Sequence, residues 1–215
     1  MKTIKKKISR FVSGLSGRKK TGYQDRRYPE DQYDLISVYL KPYNIRNILE
    51  IGCNQGKLIS RFADNGVFCV GVDIARHWES QKHDSTAFAI FPIDSSSHQK
   101  LPSFQCAFLL SVHHQWVNKH GEEYAKTLVR NLYDKTEEFF FIEFSACAFR
   151  YGYEPGARFE DNDEESVKAF AMKWLSETGL NSVEYLGKTR ENPPKEPYRY
   201  VFVVKKSSVD NLARA

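Results

Sequence analysis

Apolar stretches typical of buried strands alternate with helical patterns along most of this chain. The strand-like stretches are 47–52, 66–73, 86–94, 104–112 and 137–144. Apolar residues at helical spacing occur at 30–41, 57–65, 121–135 and 163–178, and a short helix is expected over 76–81. Because strands that alternate with helices form βαβ units, this pattern predicts a parallel sheet with helices on both faces.

Two more strands are predicted near the C-terminus, at 182–188 and 198–206. A polar, proline-rich stretch separates them and no helix lies between, so we expect them to pair antiparallel at the edge of the sheet. The fold class is therefore predicted to be α/β, with a doubly wound seven-stranded sheet that ends in an antiparallel hairpin.

The first 20 residues differ from the rest of the chain in charge. They contain eight Lys or Arg and no acid, whereas the remainder holds 24 basic and 27 acidic residues. Apolar residues recur at helical spacing from Ile4 to Leu15, which is typical of a basic amphipathic helix. Such an arm suits an anionic membrane surface, a nucleic-acid backbone or an acidic partner, and a solvated terminus is the alternative. We predict an arm at 1–20, one domain at 21–206 and a tail at 207–215.

Cysteine usage and hydropathy indicate the compartment. The four cysteines form no Cys-x-x-Cys pair or other metal-ligand spacing, so we expect buried free thiols in a reducing compartment and no metal. No apolar run reaches the roughly 18 residues of a membrane span. The basic N-terminus lacks the apolar core of a signal peptide. The sequence predicts a cytoplasmic protein, which the arm could hold at the inner face of the membrane.

The stretch LEIGCNQGKL places an acid and two glycines where the first predicted strand ends. In doubly wound sheets, ligands bind beyond the carboxyl ends of the strands, next to the first strand. Gly52 and Gly56 would let a ligand approach the backbone, and Glu50 would favour a cationic ligand over a pyrophosphate. The order Glu-x-Gly-x-x-x-Gly also lacks the middle glycine of the dinucleotide fingerprint, which argues against that class of ligand.

Acids also end the second and third predicted strands, at Asp73 and Asp94, each about 20 residues beyond the previous acid. Together with the first motif, this array resembles class I S-adenosylmethionine-dependent methyltransferases, whose fold is Rossmann-like. The resemblance implies S-adenosylmethionine as cofactor, with its ribose hydroxyls on Asp73 and its adenine amino group near Asp94. The cofactor-binding residues that it implies are Glu50, Gly52, Cys53, Asn54, Gln55, Gly56, Asp73, Ile74, Asp94 and Ser111.

Two adjacent histidines, His113 and His114, follow the fourth predicted strand, whose end lies against the transferred methyl group in this family. Adjacent side chains do not point the same way, so we expect one of the two to face the pocket. Glu143 ends the fifth strand and would line the acceptor pocket or hold a histidine, with strand-end solvation as the alternative. We therefore predict His113, His114 and Glu143 as catalytic residues and His120, just before the next helix, as a substrate contact.

A loop-like, aromatic stretch at 145–165 is long for a connection in a compact domain and is expected to form a lid over the acceptor. Arg150, Arg158 and Tyr151 are its candidates for contact with an anionic or sugar substrate. The alternative is a surface loop whose aromatic residues pack on the core. Residues 26–28, Arg-Arg-Tyr, are expected to meet the methionine carboxylate from the other side of the pocket.

The stretch LLSVHHQWVNKHG, followed by a helix and KTEEFFFIEF, resembles the methyltransferase domain of bacterial enzymes that modify surface polysaccharides. Bifunctional kinase–methyltransferases that cap O-antigen chains are of this kind, although this chain lacks one residue between Val and the first His of their motif. The resemblance implies O-methylation of a glycan, a sugar phosphate or a related small molecule. The alternatives are RNA methylation, suggested by the basic arm and by GCNQG, and a cofactor-binding module without catalysis. The net acidic body argues against nucleic acid.

Overall fold

The computed structural model describes residues 29–76, 84–190 and 198–206. Within these ranges the strands are β1 (Asn47–Ile51), β2 (Phe68–Asp73), β3 (Thr86–Ile90), β4 (Phe104–Leu109), β5 (Thr136–Ser145), β6 (Val183–Thr189) and β7 (Arg199–Lys205). The α-helices are α1 (Pro29–Leu40), α2 (Lys57–Ala63), α3 (His113–His120), α4 (Glu122–Lys135) and α5 (Glu164–Glu177). The predicted arm, the tail, residues 26–28 and nearly all of the helix expected at 76–81 lie outside the described residues.

In the described part of the chain, the strands form one seven-stranded sheet in the order β3-β2-β1-β4-β5-β7-β6. Neighbouring strands pair in parallel from β3 to β5, and β7 runs antiparallel to both β5 and β6. The predicted doubly wound sheet with an antiparallel edge hairpin is confirmed. The strand order reverses between β1 and β4, and this reversal leaves a crevice at the carboxyl ends of these two strands.

Strand alternation divides the apolar residues between two cores. One core lies between the sheet and helices α1 and α2, and it includes Ile36, Phe62 and Phe108. The other lies between the sheet and helices α4 and α5, and it includes Phe144 and Trp174. All six residues of β4 are buried, as expected for a strand covered on both faces. Burial of one large apolar side chain stabilises the fold by about 1.5–3 kcal/mol. The buried central strands are therefore firmly held, and they fix the positions of the loops that follow them.

β3 and β4 end three or four residues earlier in the structure than the apolar pattern predicted. β3 ends at Ile90 rather than at 94, because Pro92 has no N–H to donate to a neighbouring strand. β4 ends at Leu109 rather than at 112, because Ser111 has a φ of 59° and α3 begins two residues later. Helix α3 itself was not predicted, since its sequence HHQWVNKH has little apolar periodicity.

The cysteines Cys53, Cys69, Cys106 and Cys147 are buried free thiols, as predicted. Burial raises the pKa of the Cys69 thiol to about 12, so this thiol is protonated near neutral pH. None of the helices in the described ranges combines the length and the hydropathy that a membrane span requires.

Candidate functional site

A cavity of about 550 Å³ lies at the carboxyl ends of the first three strands, and the β4–α3 connection closes its other side. Its sheet side consists of Ile51, Gly52, Asn54, Val72, Asp73, Ile74, Ala75, Phe91, Pro92, Ile93 and Asp94. Its helix side consists of Ser111, Val112, Gln115, Trp116, Lys119, His120 and Tyr124. The cavity therefore occupies the crevice where ligands bind in doubly wound sheets.

The glycines after β1 are explained by crowding as well as by backbone conformation. Gly52 and Gly56 have φ values of 74° and 69°, which non-glycine residues rarely adopt. A Cβ on Gly52 would lie 2.3 Å from Cγ2 of Val112, and one on Gly56 would lie 2.4 Å from the Phe88 ring. The prediction that these glycines make room for a ligand is thus incomplete, because the protein itself fills the space beside both Cα atoms.

Asp73 ends β2 and lies on the cavity. Its Oδ2 accepts a hydrogen bond from the Asn54 N–H at 2.8 Å, and its Oδ1 accepts one from the Ala75 N–H at 3.3 Å. Asn54 has a φ of 47°, so the carboxylate holds a turn that the backbone does not favour. Each carboxylate oxygen has a second lone pair, and Asp73 can therefore hold the loop and bind a ligand together.

Asp94 lies on the cavity in a turn beyond β3, where it caps the short 3₁₀ helix Ser97–Lys100. Its Oδ1 accepts hydrogen bonds from the N–H groups of Ser97 and Ser96, at 2.7 and 2.8 Å, and from the Ser96 hydroxyl at 2.9 Å. These bonds lower the pKa of Asp94 to about 2, so the carboxylate is ionised at neutral pH. Its Oδ2 takes no part in this cap.

The structure brings six of the ten predicted cofactor residues to the cavity wall. These are Gly52, Asn54, Asp73, Ile74, Asp94 and Ser111, whereas Glu50, Cys53, Gln55 and Gly56 do not belong to the described wall. Glu50 is only 7% exposed, and strand alternation from Ile48 puts its side chain on the α1–α2 side of the sheet. Ile74, 74% exposed, adds an apolar surface close to Phe91 and Ile93.

The expectation that His113 or His114 faces this pocket does not fit the structure, in which only His120 of the three histidines belongs to the described cavity wall. His113 is fully buried, and its ring centre lies 4.5 Å from that of Phe144 and 5.4 Å from that of Trp174. Burial, together with the nearby charge of Arg199, lowers the pKa of His113 to about 3. A neutral imidazole packed among aromatic rings is a core group, and His113 is therefore badly placed to exchange protons with a substrate.

Glu143 does not belong to the described cavity wall, and none of the histidines in the described ranges is among its hydrogen-bond partners, so neither predicted role fits the structure. It is fully buried, and it accepts hydrogen bonds from the Ser111 hydroxyl and, at 2.5 Å, from the side-chain amide of Gln32. The guanidinium Nε of Arg199 lies 3.8 Å from the carboxylate. Glu143 is therefore a buried polar centre behind the cavity wall, connected to it through Ser111.

The segment 146–162 packs on the core, which is the alternative to a lid. Tyr151 is buried, and its hydroxyl accepts a hydrogen bond from the Ser145 N–H at 3.0 Å. Arg158 lies 3.4 Å from the Glu122 carboxylate and faces a second, smaller cavity of about 310 Å³. The Arg150 guanidinium lies 5.6 Å from the centre of the Phe149 ring. The predicted substrate contacts of Arg150, Arg158 and Tyr151 are thus not brought to the main cavity.

On the helix side of the cavity, sequence reasoning named Ser111 and His120 but missed Trp116, Lys119 and Tyr124. Trp116, Lys119 and His120 have the spacing i, i+3, i+4, which puts them on one face of a helix. This spacing indicates a shared face only if residues 113–120 are known to be helical, and the sequence did not predict that helix. Tyr124, at the start of α4, continues the same face, with its ring centre 4.7 Å from that of His120.

Several solved structures resemble this chain over most of its length. A structure of the bifunctional kinase–methyltransferase WbdD matches 81% of this chain at 21% identity with a TM-score of 0.57. This chain spans 37% of the length of WbdD. Magnesium protoporphyrin IX methyltransferase ChlM from Synechocystis PCC 6803, with bound SAH, matches at 17% identity and a TM-score of 0.58. That match covers 89% of this chain and 90% of ChlM.

The N-terminal domain of EvdMO1 with SAH bound is similar at 13% identity and a TM-score of 0.56, over 84% of this chain and 82% of that one. No protein-family model and no curated protein sequence matches the chain. The resemblance to class I methyltransferases, including a kinase–methyltransferase, is therefore confirmed at the level of the fold.

Proposed function

We propose that this protein is an S-adenosylmethionine-dependent methyltransferase that binds its cofactor in the 550 Å³ cavity. The observation that carries the proposal is the pair of carboxylates, Asp73 and Asp94, which face one cavity at the crevice of the sheet. The fold is shared with ChlM and EvdMO1, whose structures contain SAM or SAH. These observations support a nucleoside ligand with hydroxyl and amino donors.

The residues present fit such a nucleoside. Each oxygen of Asp73 already accepts one backbone N–H and has a lone pair left for one ribose hydroxyl. Oδ2 of Asp94 lies outside the turn's hydrogen bonds and suits an exocyclic amino donor. Ile74, Phe91 and Ile93 supply apolar surface for a flat base. The cavity thus combines a few polar groups with apolar walls, as small-molecule sites do.

When bound, S-adenosylmethionine supplies an electrophilic methyl group on its sulfonium. The protein then has mainly to align an acceptor and to exclude water. An alcohol acceptor needs a base, whereas a phosphate or carboxylate is already a nucleophilic anion. His120, with Lys119 beside it, is the histidine that we assign to the acceptor side, because it belongs to the described cavity wall, whereas His113 and His114 are buried outside that wall.

For the acceptor we propose a glycan, a sugar phosphate or a related small molecule. Trp116 and Tyr124 offer aromatic faces on the helix side of the cavity, and Lys119 offers a positive charge. These side chains suit a sugar ring that carries an anionic group. The resemblance of LLSVHHQWVNKHG to enzymes that modify surface polysaccharides supports the same class, and WbdD, a bifunctional kinase–methyltransferase, has a similar fold.

A screen with methyl-labelled S-adenosylmethionine against nucleotide sugars, lipid-linked glycans and RNAs tests this function. We expect label on a glycan or sugar phosphate, and we expect Lys119→Ala to lower the rate while Lys41→Ala, at an exposed position after α1, does not. Label on RNA alone would instead favour the alternative function. Cofactor binding without transfer would indicate a non-catalytic module, and absence of cofactor binding would overturn the proposal.

We also propose that the basic arm at 1–20 brings the protein to an anionic membrane surface, as its charge and apolar spacing suggest. Sedimentation with anionic vesicles should be lost when residues 1–20 are deleted. Retention on vesicles after the deletion would contradict this role, and steeply salt-dependent binding to RNA would favour a nucleic-acid partner.

A further inference from the structure

We propose that Gln32 and Glu143 are positioning residues for the cofactor, acting from behind the cavity wall. They hold Ser111, and with it the β4–α3 connection, in the conformation that forms one side of the cavity. The inference rests on the proposed function, since it takes the cavity to be the cofactor site. It extends that function to α1, which contributes no described residue to the cavity wall.

Ser111 lies on the cavity wall, and its hydroxyl donates the hydrogen bond to Glu143 that connects this wall to the core. Its φ of 59° is unfavourable for a residue with a side chain, so the surrounding structure must hold it there. Its carbonyl accepts a hydrogen bond from the Gln115 side-chain amide at 3.3 Å, and the side chain of the next residue, Val112, lies close enough to Gly52 to leave no room for a Cβ there. A change in Ser111 would therefore move both the helix side of the cavity and its contact with the loop after β1.

Glu143 fixes Ser111 from within the core. The Ser111 hydroxyl donates to Oε1, the Gln32 amide donates to Oε2 at 2.5 Å, and Nε of Arg199 lies 3.8 Å from Oε1. These three groups come from the β4–α3 connection, from α1 and from β7. Since a buried carboxylate is stable only when donors surround it, its position is determined by all three elements together.

Gln32 extends this arrangement to α1, and its neighbour Asp31 provides a natural comparison. Asp31 accepts two hydrogen bonds from the Arg190 guanidinium, at 2.8 and 2.7 Å, on the surface. Both residues attach α1 to the domain, but only Gln32 is connected to the cavity. If the connection matters, ligand binding must in return stabilise α1, because coupling between two sites is reciprocal.

The test compares Gln32→Met with Asp31→Asn, using S-adenosylhomocysteine as the probe. Methionine has nearly the volume of glutamine but cannot donate to Glu143. We expect Gln32→Met to lower affinity for S-adenosylhomocysteine by about fivefold or more in calorimetry. We also expect it to abolish the slowing of hydrogen exchange that the ligand causes in α1 of the wild type. Asp31→Asn should lower the Tm slightly and change neither readout.

A second variant keeps the test decisive if Gln32→Met does not fold. Ser111→Gly removes the hydroxyl, yet glycine adopts a positive φ readily, so the variant should fold and still bind the ligand more weakly. Wild-type affinity in Ser111→Gly, or in Gln32→Met with α1 still protected by the ligand, would overturn the inference. If the wild-type protein does not bind S-adenosylhomocysteine at all, the proposed function itself fails, which is a distinguishable result.

Discussion

The carboxyl edge of the sheet has two halves that use polar residues in opposite ways. In the open half, at β1 to β3, Asp73 and Asp94 are partly exposed and face a cavity. In the sealed half, at β4, β5 and β7, Glu143 is fully buried and Arg199 is only 2% exposed. The same sequence signal, a polar residue at a strand end, thus produces a cavity-facing group in one half and a buried hydrogen-bonded group in the other.

The difference comes from what covers each half. Gln32 of α1 reaches the end of β5, and the segment 146–162 packs Tyr151 beside Ser145. With its hydrogen bonds made inside the protein, the sealed half should respond to substitution by losing stability. The acids of the open half retain lone pairs for a ligand, so substitution there should change affinity more than stability.

Glu143→Ala should have the largest effect on stability. It leaves the buried Arg199 charge without this carboxylate, and loss of one partner of a buried ion pair costs about 3–5 kcal/mol of unfolding free energy. Urea denaturation measures the change. Glu137→Ala, at an exposed position on the same strand, is the matched control and should stay within about 0.5 kcal/mol of wild type. A loss below about 1 kcal/mol for Glu143→Ala would show that the sealed half is not held by this carboxylate.

Gly52→Ala tests the place where the two halves meet, which is the close approach of Val112 in the β4–α3 connection to Gly52 after β1. A left-handed φ and a Cβ at 2.3 Å from Val112 together predict a loss of about 2–4 kcal/mol. In a double-mutant cycle, Val112→Ala should restore the part of the lost unfolding free energy that comes from the clash with Val112. The part that comes from the left-handed φ should remain lost. Additive effects of the two substitutions on the unfolding free energy would contradict the close approach of Val112 to Gly52.

Asp73→Asn should weaken S-adenosylhomocysteine binding by more than about tenfold, because charge-assisted hydrogen bonds to the ribose are lost. Calorimetry gives the affinity, and the unfolding free energy should fall by less than for Glu143→Ala. Asp64→Asn, at an exposed carboxylate just after α2, should bind like wild type. Unchanged affinity in Asp73→Asn would remove Asp73 from the ligand site.

The smallest effect is a pH dependence from Asp94. Hydrogen bonds from Ser97 and Ser96 lower the pKa of the folded carboxylate to about 2 from an ordinary value of 3.8. The ionised form therefore contributes stability above pH about 4, and this contribution is lost as the pH falls from about 4 towards 2. The difference in unfolding free energy between wild type and Asp94→Asn should be constant near neutral pH and shrink in that window. A difference that stays level down to pH about 2 would contradict the cap.

Much of the fold could be predicted because its signals are local. The apolar runs of β1, β2, β4 and β5 predicted a buried parallel sheet, and the missing helix between β6 and β7 predicted the hairpin. The acids of the open half could be predicted for the same reason, since the carboxyl ends of parallel strands meet at one edge. α3 was missed because its polar sequence is made helical by its position after Ser111 rather than by propensity.

The sealed half could not be predicted, because its contacts join residues that are far apart in sequence. Gln32 and Glu143 are 111 positions apart, and nothing near either residue indicates the other. The same applies to His113, whose aromatic neighbours come from β5, from the segment 146–162 and from α5. The local sequence around a Glu or His near a strand end is the same whether the side chain is buried under a helix or lines a cavity.

The most direct measurement is a crystal structure of the protein with S-adenosylhomocysteine. We predict that the nucleoside lies in the 550 Å³ cavity, with its ribose hydroxyls on Asp73, its adenine beside Ile74 and Asp94, and Glu143 still sealed behind Ser111. A nucleoside bound outside this cavity, or ribose hydroxyls that do not contact Asp73, would contradict the account.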